Sequence, residues 1–165
     1  LTRKTYNTEE FKNYIYGSAE VVGLMCLKVF YKNKEKEFER LVYPARKLGE
    51  AFQKINFLRD IRSDYLEKGR IYFPGIDPDN FTEEQKKDIE QNIAHDFAEA
   101  EKGIVQLNKD VKLGIYLAYT YYLQLLKKIK KTTPGQILSK RYRISNISKI
   151  YLLINAWVKY QFRII

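Results

Sequence analysis

Apolar residues recur every three or four positions along nearly the whole chain, a period that predicts helix rather than strand. Thr8-Glu9-Glu10 reads as a helix start, with Thr8 as N-cap before an acidic first turn. Apolar positions follow at helical spacing from Phe11, Tyr14 and Ile15 through Ala19, Val22 and Met25 to Val29 and Phe30. The charged run Lys32 to Lys36 predicts an exposed connection. A second helix is expected from near Phe38 or Pro44 to about Glu67, with Pro44 tolerable in a first turn or at a kink. Gly69 ends it, Pro74-Gly75 makes a turn, and Asp77 to Asn80 is loop. Thr82-Glu83-Glu84-Gln85 is a capping-box start for a third helix reaching about Asn108. A fourth covers Val111 to Lys131, stopped by Thr132-Thr133-Pro134-Gly135, and the last runs from about Ser145 to Arg163. No segment keeps the alternation of a strand and no repeat occurs, so the expected fold class is all-α.

Composition narrows the class further. A chain of 165 residues, 45% hydrophobic and 30% charged, is sized for one domain over residues 1–165 and is unlike a disordered segment. A formal net charge of +10 suits acidic partners: phosphorylated substrates, nucleic acid or anionic lipid headgroups. No helix concentrates Lys and Arg on one face with base-reaching side chains, which argues against nucleic acid. Cys26 is the sole cysteine, so no intramolecular disulfide forms, and its apolar run Val21 to Leu27 predicts a buried, inert thiol in a reducing compartment. No signal peptide is seen, and no apolar run approaches the roughly 18 residues of a spanning helix. The expected location is the cytoplasm, with peripheral contact at the inner membrane face as an addition. The chain begins with Leu1 and its sole methionine is Met25, which predicts a processed, truncated or partial chain.

Candidate chemistry concentrates in residues 51–74. Asn56, Asp60 and Asp64 stand four residues apart, so on a helix all three line one face. Stacked carboxylates repel unless a cation lies beside them. Gln53 adds an amide one turn earlier, and Arg59 and Arg70 flank the row. Ala51, Phe52, Ile55 and Leu58 make the rest of the helix apolar, as in a buried helix. Mg²⁺ prefers carboxylate and amide oxygens completed by water and phosphate, so the segment fits Mg²⁺ and a diphosphate together. A solvated acidic face is the competing reading, with Arg59 and Arg70 merely pairing with nearby acids. His95 reads as a surface residue. Lys127 to Lys131 reads as a solvated helix end favoured by the dipole, with docking on anionic membrane as the second reading.

The string Asn56-Phe57-Leu58-Arg59-Asp60-x3-Asp64, followed by Gly69-Arg70-Ile71-Tyr72-Phe73-Pro74, resembles the second aspartate-rich motif of the squalene and phytoene synthases. Tyr14-Ile15-Tyr16-Gly17-Ser18-Ala19-Glu20-Val21-Val22-Gly23-Leu24-Met25 resembles the Tyr-rich helix of that family, and Ala45-Arg46-x-Leu48-Gly49-x-Ala51-Phe52-Gln53 fits as well. Ala98 to Gly103 and the closing helix agree in pattern, so the resemblance spans most of the chain. It implies an isoprenoid-synthase-type helical bundle of which this chain is the C-terminal portion. It implies that Asn56, Asp60 and Asp64 hold Mg²⁺, or Mn²⁺ in its place, against one diphosphate. Arg59 and Arg70 would contact that diphosphate, with Gln53 and Tyr72 as polar support. Tyr14 would act beside the reacting carbons, with Asp60 and Asp64 as its catalytic companions. Ala19, Val22 and Leu48 would line the tunnel for the prenyl tails.

The activity so implied joins two geranylgeranyl diphosphates head to head through a cyclopropylcarbinyl diphosphate, giving phytoene for carotenoid biosynthesis. The alternative is a squalene or dehydrosqualene synthase using farnesyl diphosphate, with NADPH required only in the squalene-forming case. Implied partners are prenyl diphosphates; peripheral membrane contact stays the second reading of the lysine run, and nucleic acid is not expected. Two departures stand out. Glu20 replaces a glycine usual in the family, where it would narrow the pocket or pair with a basic group. Leu1 to Asn13 contains no Asp, so the family's first aspartate-rich motif is absent upstream of the Tyr-rich helix. Little or no activity is therefore expected of residues 1–165 alone, and a non-catalytic diphosphate-binding fragment is the alternative of another class.

Overall fold

A computed structural model of the chain describes residues 4–162, 164 and 165. Its first helical rod is made of α1 (Thr8–Ile15), a π-helical turn (Tyr16–Glu20) and α2 (Val21–Phe30). The N-cap is Asn7 rather than Thr8: its side chain accepts from the Glu9 and Glu10 N–H groups, and Glu10 accepts from the Asn7 N–H at 2.9 Å. Asn outranks Thr as a cap, and Glu at the third position closes the reciprocal pair. The rod is not one regular helix as expected, because the Val21 N–H donates to the Tyr16 carbonyl five residues back. Such wide turns inside α-helices are frequent at functional sites.

Helix α3 (Glu35–Lys68) starts earlier than expected and takes Pro44 into its interior. The proline lies against Gly103 of α4 (Glu83–Ile104), where an added Cβ would come within 2.4 Å of the Pro44 Cβ. Gly69 ends α3 with φ 64°, its N–H turned back to the Asp64 and Tyr65 carbonyls. There the chain pairs β1 (Lys4–Thr5) in parallel with β2 (Arg70–Ile71), a correction to the strand-free expectation. Two residues per strand are too few to show alternation in sequence.

After a 3₁₀ turn (Pro78–Asn80), the Thr82/Gln85 capping box opens α4 as expected, though α4 ends before Asn108. Helix α5 is Lys109–Ile129. The run Thr132 to Gly135 does not only stop α5. Thr133 and Gln136 form a second capping box and Pro134 takes the first turn of α6 (Pro134–Ser139), a helix the period could not signal in six residues. Helix α7 (Asn146–Gln161) is capped by Ser145. The expected end at Arg163 lies outside the described residues.

The bundle is organised around α3. Ala51, Ile55, Leu58 and Ile61 on α3 are buried with Ile93 and Phe97 of α4 and Leu125, Leu126 and Ile129 of α5. At the other end of α3 a smaller core joins Leu41 to Leu27 and Tyr31, whose hydroxyl accepts from the Asn108 N–H. Charges are also buried between α3 and α4. Lys54 Nζ reaches Asp96 Oδ2 and Glu50 Oε1, both at 2.6 Å, and Lys47 Nζ reaches Asp96 Oδ1 at 2.9 Å and Glu50 Oε2 at 2.7 Å. Burial would raise the Glu50 carboxyl, but Lys47 and Lys54 override it and hold the group below its usual range. Closed pairing of this kind is what makes interior charges tolerable.

Candidate active site

The acidic row occupies the second half of α3, where the helix turns its other sides into the core. Asp60 is clasped from two directions. Arg59 holds it by Nε to Oδ1 at 2.9 Å and Nη2 to Oδ2 at 2.5 Å. Arg141, in the connection between α6 and α7, holds it by Nε to Oδ1 at 2.7 Å and Nη2 to Oδ2 at 3.1 Å. Burial would raise the Asp60 carboxyl, yet the Arg59 hydrogen bonds and the two guanidinium charges keep it below the ordinary carboxylate range. Asp64 is buried and paired with the exposed Lys68 at 2.7 Å. Asn56 Oδ1 is buried without a hydrogen-bond partner. An orphaned acceptor costs about 1–3 kcal/mol, and a hard cation is one group that would satisfy it.

These residues fit Mg²⁺ by donor chemistry: one amide and two carboxylate oxygens on one helix face, with water and phosphate left to complete the shell. Among the described residues, no group of three or more His, Cys, Asp or Glu is placed to hold a metal ion. The sequence did not point to Arg141. Its partner lies 81 positions away, and only the basic run Lys140-Arg141-x-Arg143 hinted at an anion-facing loop.

Tyr14, at the C-terminal end of α1, and Arg70 are linked through Tyr72. The Tyr14 ring lies 5.2 Å from Tyr72 and 5.7 Å from Phe57, and Tyr72 stacks on Phe57 at 3.9 Å. Tyr6, which drew no attention in the sequence, stacks on Tyr72 at 5.1 Å. The hydrogen bond with Tyr72, reinforced by burial, pushes the Tyr14 hydroxyl up to about 12. Arg70 is exposed and donates from Nη1 to the Tyr72 hydroxyl at 3.2 Å.

Beyond this aromatic cluster, the π-helical turn, α2, α3 and α4 enclose an apolar cleft of about 300 Å³. Ala19, Val22 and Leu48 all line it, and Gln53, three residues before Asn56, lines it from the side of the acidic row. Its depth depends on close helix approach. A Cβ on Gly23 would stand 2.7 Å from the Ala45 carbonyl oxygen, and one on Gly49 would stand 2.5 Å from that of Ala19. Along α3, the lining residues Leu41 and Gln53 are separated by roughly 18 Å of helix. Cys26 also lines the cleft and is exposed, not buried, because the apolar stripe of α2 faces an open space. Glu20 stays out of the lining and pairs with Arg46 of α3 at 2.5 Å. His95 is on the exposed side of α4.

An all-α bundle with an acidic row beside an apolar cleft is an isoprenoid-synthase-type arrangement. The profile described as Squalene/phytoene synthase matches residues 1–148. The 15-cis-phytoene synthase of Synechocystis sp. is 31% identical over 98% of this chain and 54% of its own length. The phytoene synthase of Arthrospira platensis is 31% identical over 79% of this chain and 50% of its own, and the chloroplastic enzyme of Narcissus pseudonarcissus is 30% identical over 93% and 40%. This chain belongs to the squalene/phytoene synthase family. It spans about half the length, or less, of the curated relatives it matches.

Proposed function

We propose that the chain carries one of two diphosphate-activating sites of a prenyltransferase that condenses two geranylgeranyl diphosphates to phytoene through a cyclopropylcarbinyl diphosphate, a step of carotenoid biosynthesis. On this reading residues 1–165 are one all-α unit equivalent to the C-terminal portion of the family's domain. The supporting observation is the adjacency of the Asn56/Asp60/Asp64 row to the cleft lined by Ala19, Val22, Leu48 and Gln53. The names of the relatives favour phytoene over squalene or dehydrosqualene.

Ionisation breaks the allylic C–O bond and leaves the electron pair on the diphosphate. Asn56, Asp60 and Asp64 would hold Mg²⁺ or Mn²⁺, which neutralises charge on that leaving group when bound. Arg59 and Arg141 keep Asp60 ionised and stand ready to share their donors with phosphate oxygens. Arg70 extends the same positive edge from β2. Tyr14 stays protonated at neutral pH, so its hydroxyl donates a hydrogen bond rather than accepting a proton. Its ring would offer a π face to the allylic cation, an interaction of roughly 0.5–2 kcal/mol, while the buried Phe57 and Tyr72 back it. The cleft takes the prenyl tail and excludes water from the cation.

Calorimetric titration of the chain with geranylgeranyl and farnesyl thiodiphosphates, with and without Mg²⁺, tests the site. Mg²⁺-dependent binding that favours the longer tail is expected, and binding indifferent to EDTA would remove the metal reading. Labelled geranylgeranyl or farnesyl diphosphate supplied to the full-length protein tests the product; turnover of farnesyl diphosphate alone would favour squalene or dehydrosqualene, and an NADPH requirement would select squalene. A second reading, a non-catalytic diphosphate binder, is favoured because among the described residues no group of three or more His, Cys, Asp or Glu is placed to hold a metal ion. It predicts binding by residues 1–165 with little pyrophosphate release, and clear Mg²⁺-dependent release would end it. Peripheral contact with the inner membrane face is proposed from a cytoplasmic location, and no partnership with nucleic acid. No helix among the described residues is long and apolar enough to cross a membrane.

A further inference from the structure

Within the acidic row, Asp60 is closed by the chain's own arginines. Four guanidinium nitrogens, Nε and Nη2 of both Arg59 and Arg141, stand within 3.1 Å of its two oxygens. A carboxylate has about four lone-pair sites, so the two clasps use up what this one can offer. Mg²⁺ needs a bare oxygen at about 2.0–2.1 Å, and here it would also stand against two guanidinium charges of its own sign. The other members of the row are open by comparison. Asn56 Oδ1 has no partner, and Asp64 is paired with the exposed Lys68.

The two arginines differ in what holds them. Arg59 belongs to the same helix as Asp60, and its side chain is only 16% exposed. Arg141 stands on the connection between α6 and α7, and its side chain is 51% exposed. That connection is itself fixed. Tyr142 and Ile144 are buried, Arg62 Nη1 donates to the Leu138 carbonyl at 2.7 Å, and Lys128 Nζ donates to the Arg143 carbonyl at 2.7 Å. The backbone therefore stays in place while the Arg141 side chain can turn, and a released guanidinium remains beside the acidic row.

We propose that Arg141 is a latch: it occupies Asp60 in place of the metal, and it moves to the diphosphate when cation and anion enter together. The latch rests on the metal-site reading above. Arg–carboxylate and Arg–phosphate pairs are both bidentate and charge-assisted, so the guanidinium exchanges one partner for another of the same kind. A metal ion alone must break the first pair without the second being formed. With diphosphate present both pairs are accounted for, so cation and anion each raise the affinity for the other, as linkage requires. The result is a site that holds a free divalent cation poorly and a cation with diphosphate well.

Free Mn²⁺, followed by its electron paramagnetic resonance signal, measures metal binding without substrate or turnover. Arg141→Ala should bind Mn²⁺ at least roughly fivefold more tightly than the unaltered chain, the lower end of typical coupling between sites. Arg141→Lys, a point charge without the planar fork, should fall between the two. An arginine that only braced the fold would give the opposite sign, looser metal binding on its removal. Heteronuclear NMR of the arginine side chains follows the latch in the unaltered protein. Saturating Mg²⁺ should move the Arg141 Nε–H resonance to a solvent-exposed position, while that of Arg59 keeps its hydrogen-bonded one. Inorganic diphosphate added next should return Arg141 to a bonded position. Equal or weaker Mn²⁺ binding by folded Arg141→Ala, or an Arg141 resonance unmoved by bound metal, overturns the latch and leaves the metal site standing. If the variant misfolds, the resonance in the unaltered chain decides. Saturable Mn²⁺ binding by neither protein removes latch and metal site together.

Discussion

Helix α3 carries two charged clusters that differ in how they are closed. In its middle, Lys47, Glu50 and Lys54 meet Asp96 of α4, and four side chains are matched by close ion pairs between two helices. Within the next three turns, Asn56, Asp60 and Asp64 form a second cluster with an orphaned amide oxygen, and two of its partners, Arg141 and Lys68, have half-exposed side chains. The first cluster spends its charge on holding the helices together. The second keeps acceptor capacity that no residue of the described chain uses. Both follow one sequence pattern, polar side chains three or four apart on a helix. Closure by a neighbouring helix is what separates structure from site.

The contrast can be broken from either side. Asp96→Asn leaves Glu50 as the one carboxylate shared by Lys47 and Lys54, a net positive charge inside the cluster, and removing one partner of a buried pair costs about 3–5 kcal/mol. Thermal unfolding should show it as a fall of roughly 10 °C, with the Mg²⁺-dependent affinity for geranylgeranyl thiodiphosphate changed little in the folded fraction. Asp64→Asn should do the reverse. Titration should lose at least the roughly 10–100-fold that follows even from losing a metal ligand's outer partner, while the melting temperature moves by only a few degrees. Arg141→Ala removes the distant clasp on Asp60. Because Arg141 is half-exposed, the stability change should stay within about 1 kcal/mol, and the readable effect should be weaker, more salt-sensitive ligand binding.

The smallest effect is in the acid limb of stability. The Asp60 and Glu50 carboxyls are both held below their ordinary values of 3.8 and 4.5. Their stabilisation is therefore complete above those values and is lost as pH falls through the lower folded values. Chemical denaturation between pH 5 and pH 2 should show a shallower acid limb in Asp60→Asn than in the unaltered chain. An unchanged limb would mean that the two arginines do not hold the carboxylate in solution.

The acidic row was legible because four-residue spacing is a local property that a helix converts directly into a shared face. Ala19, Val22 and Leu48 fall on one cleft for the same reason, helical spacing along the first rod and α3. Arg141 was not legible, since its meeting with Asp60 depends on how α6 turns the chain back over α3. Cys26 was misread for a related reason: an apolar run tells which residues avoid water, not whether the space they face is filled. The two-residue pairing of β1 with β2, and α6 with its six residues, fall below the length at which any period can be seen. Pro44 was expected in a first turn or at a kink but lies inside α3, and the bare backbone of Gly103 opposite gives its ring room against α4.

The wide turn at Tyr16–Glu20 has a consequence for variation in this segment. It holds one residue more than an α-turn would, so it acts as a phase shifter of roughly 100° between α1 and α2. That offset lets Tyr14 join the aromatic cluster while Ala19 and Val22 face the cleft. Deleting a single residue there would put both halves of the rod in common register and turn one of the two sets away from its place, with composition almost untouched. The count of residues between Tyr14 and Val22 is thus constrained more tightly than the identity of any one of them.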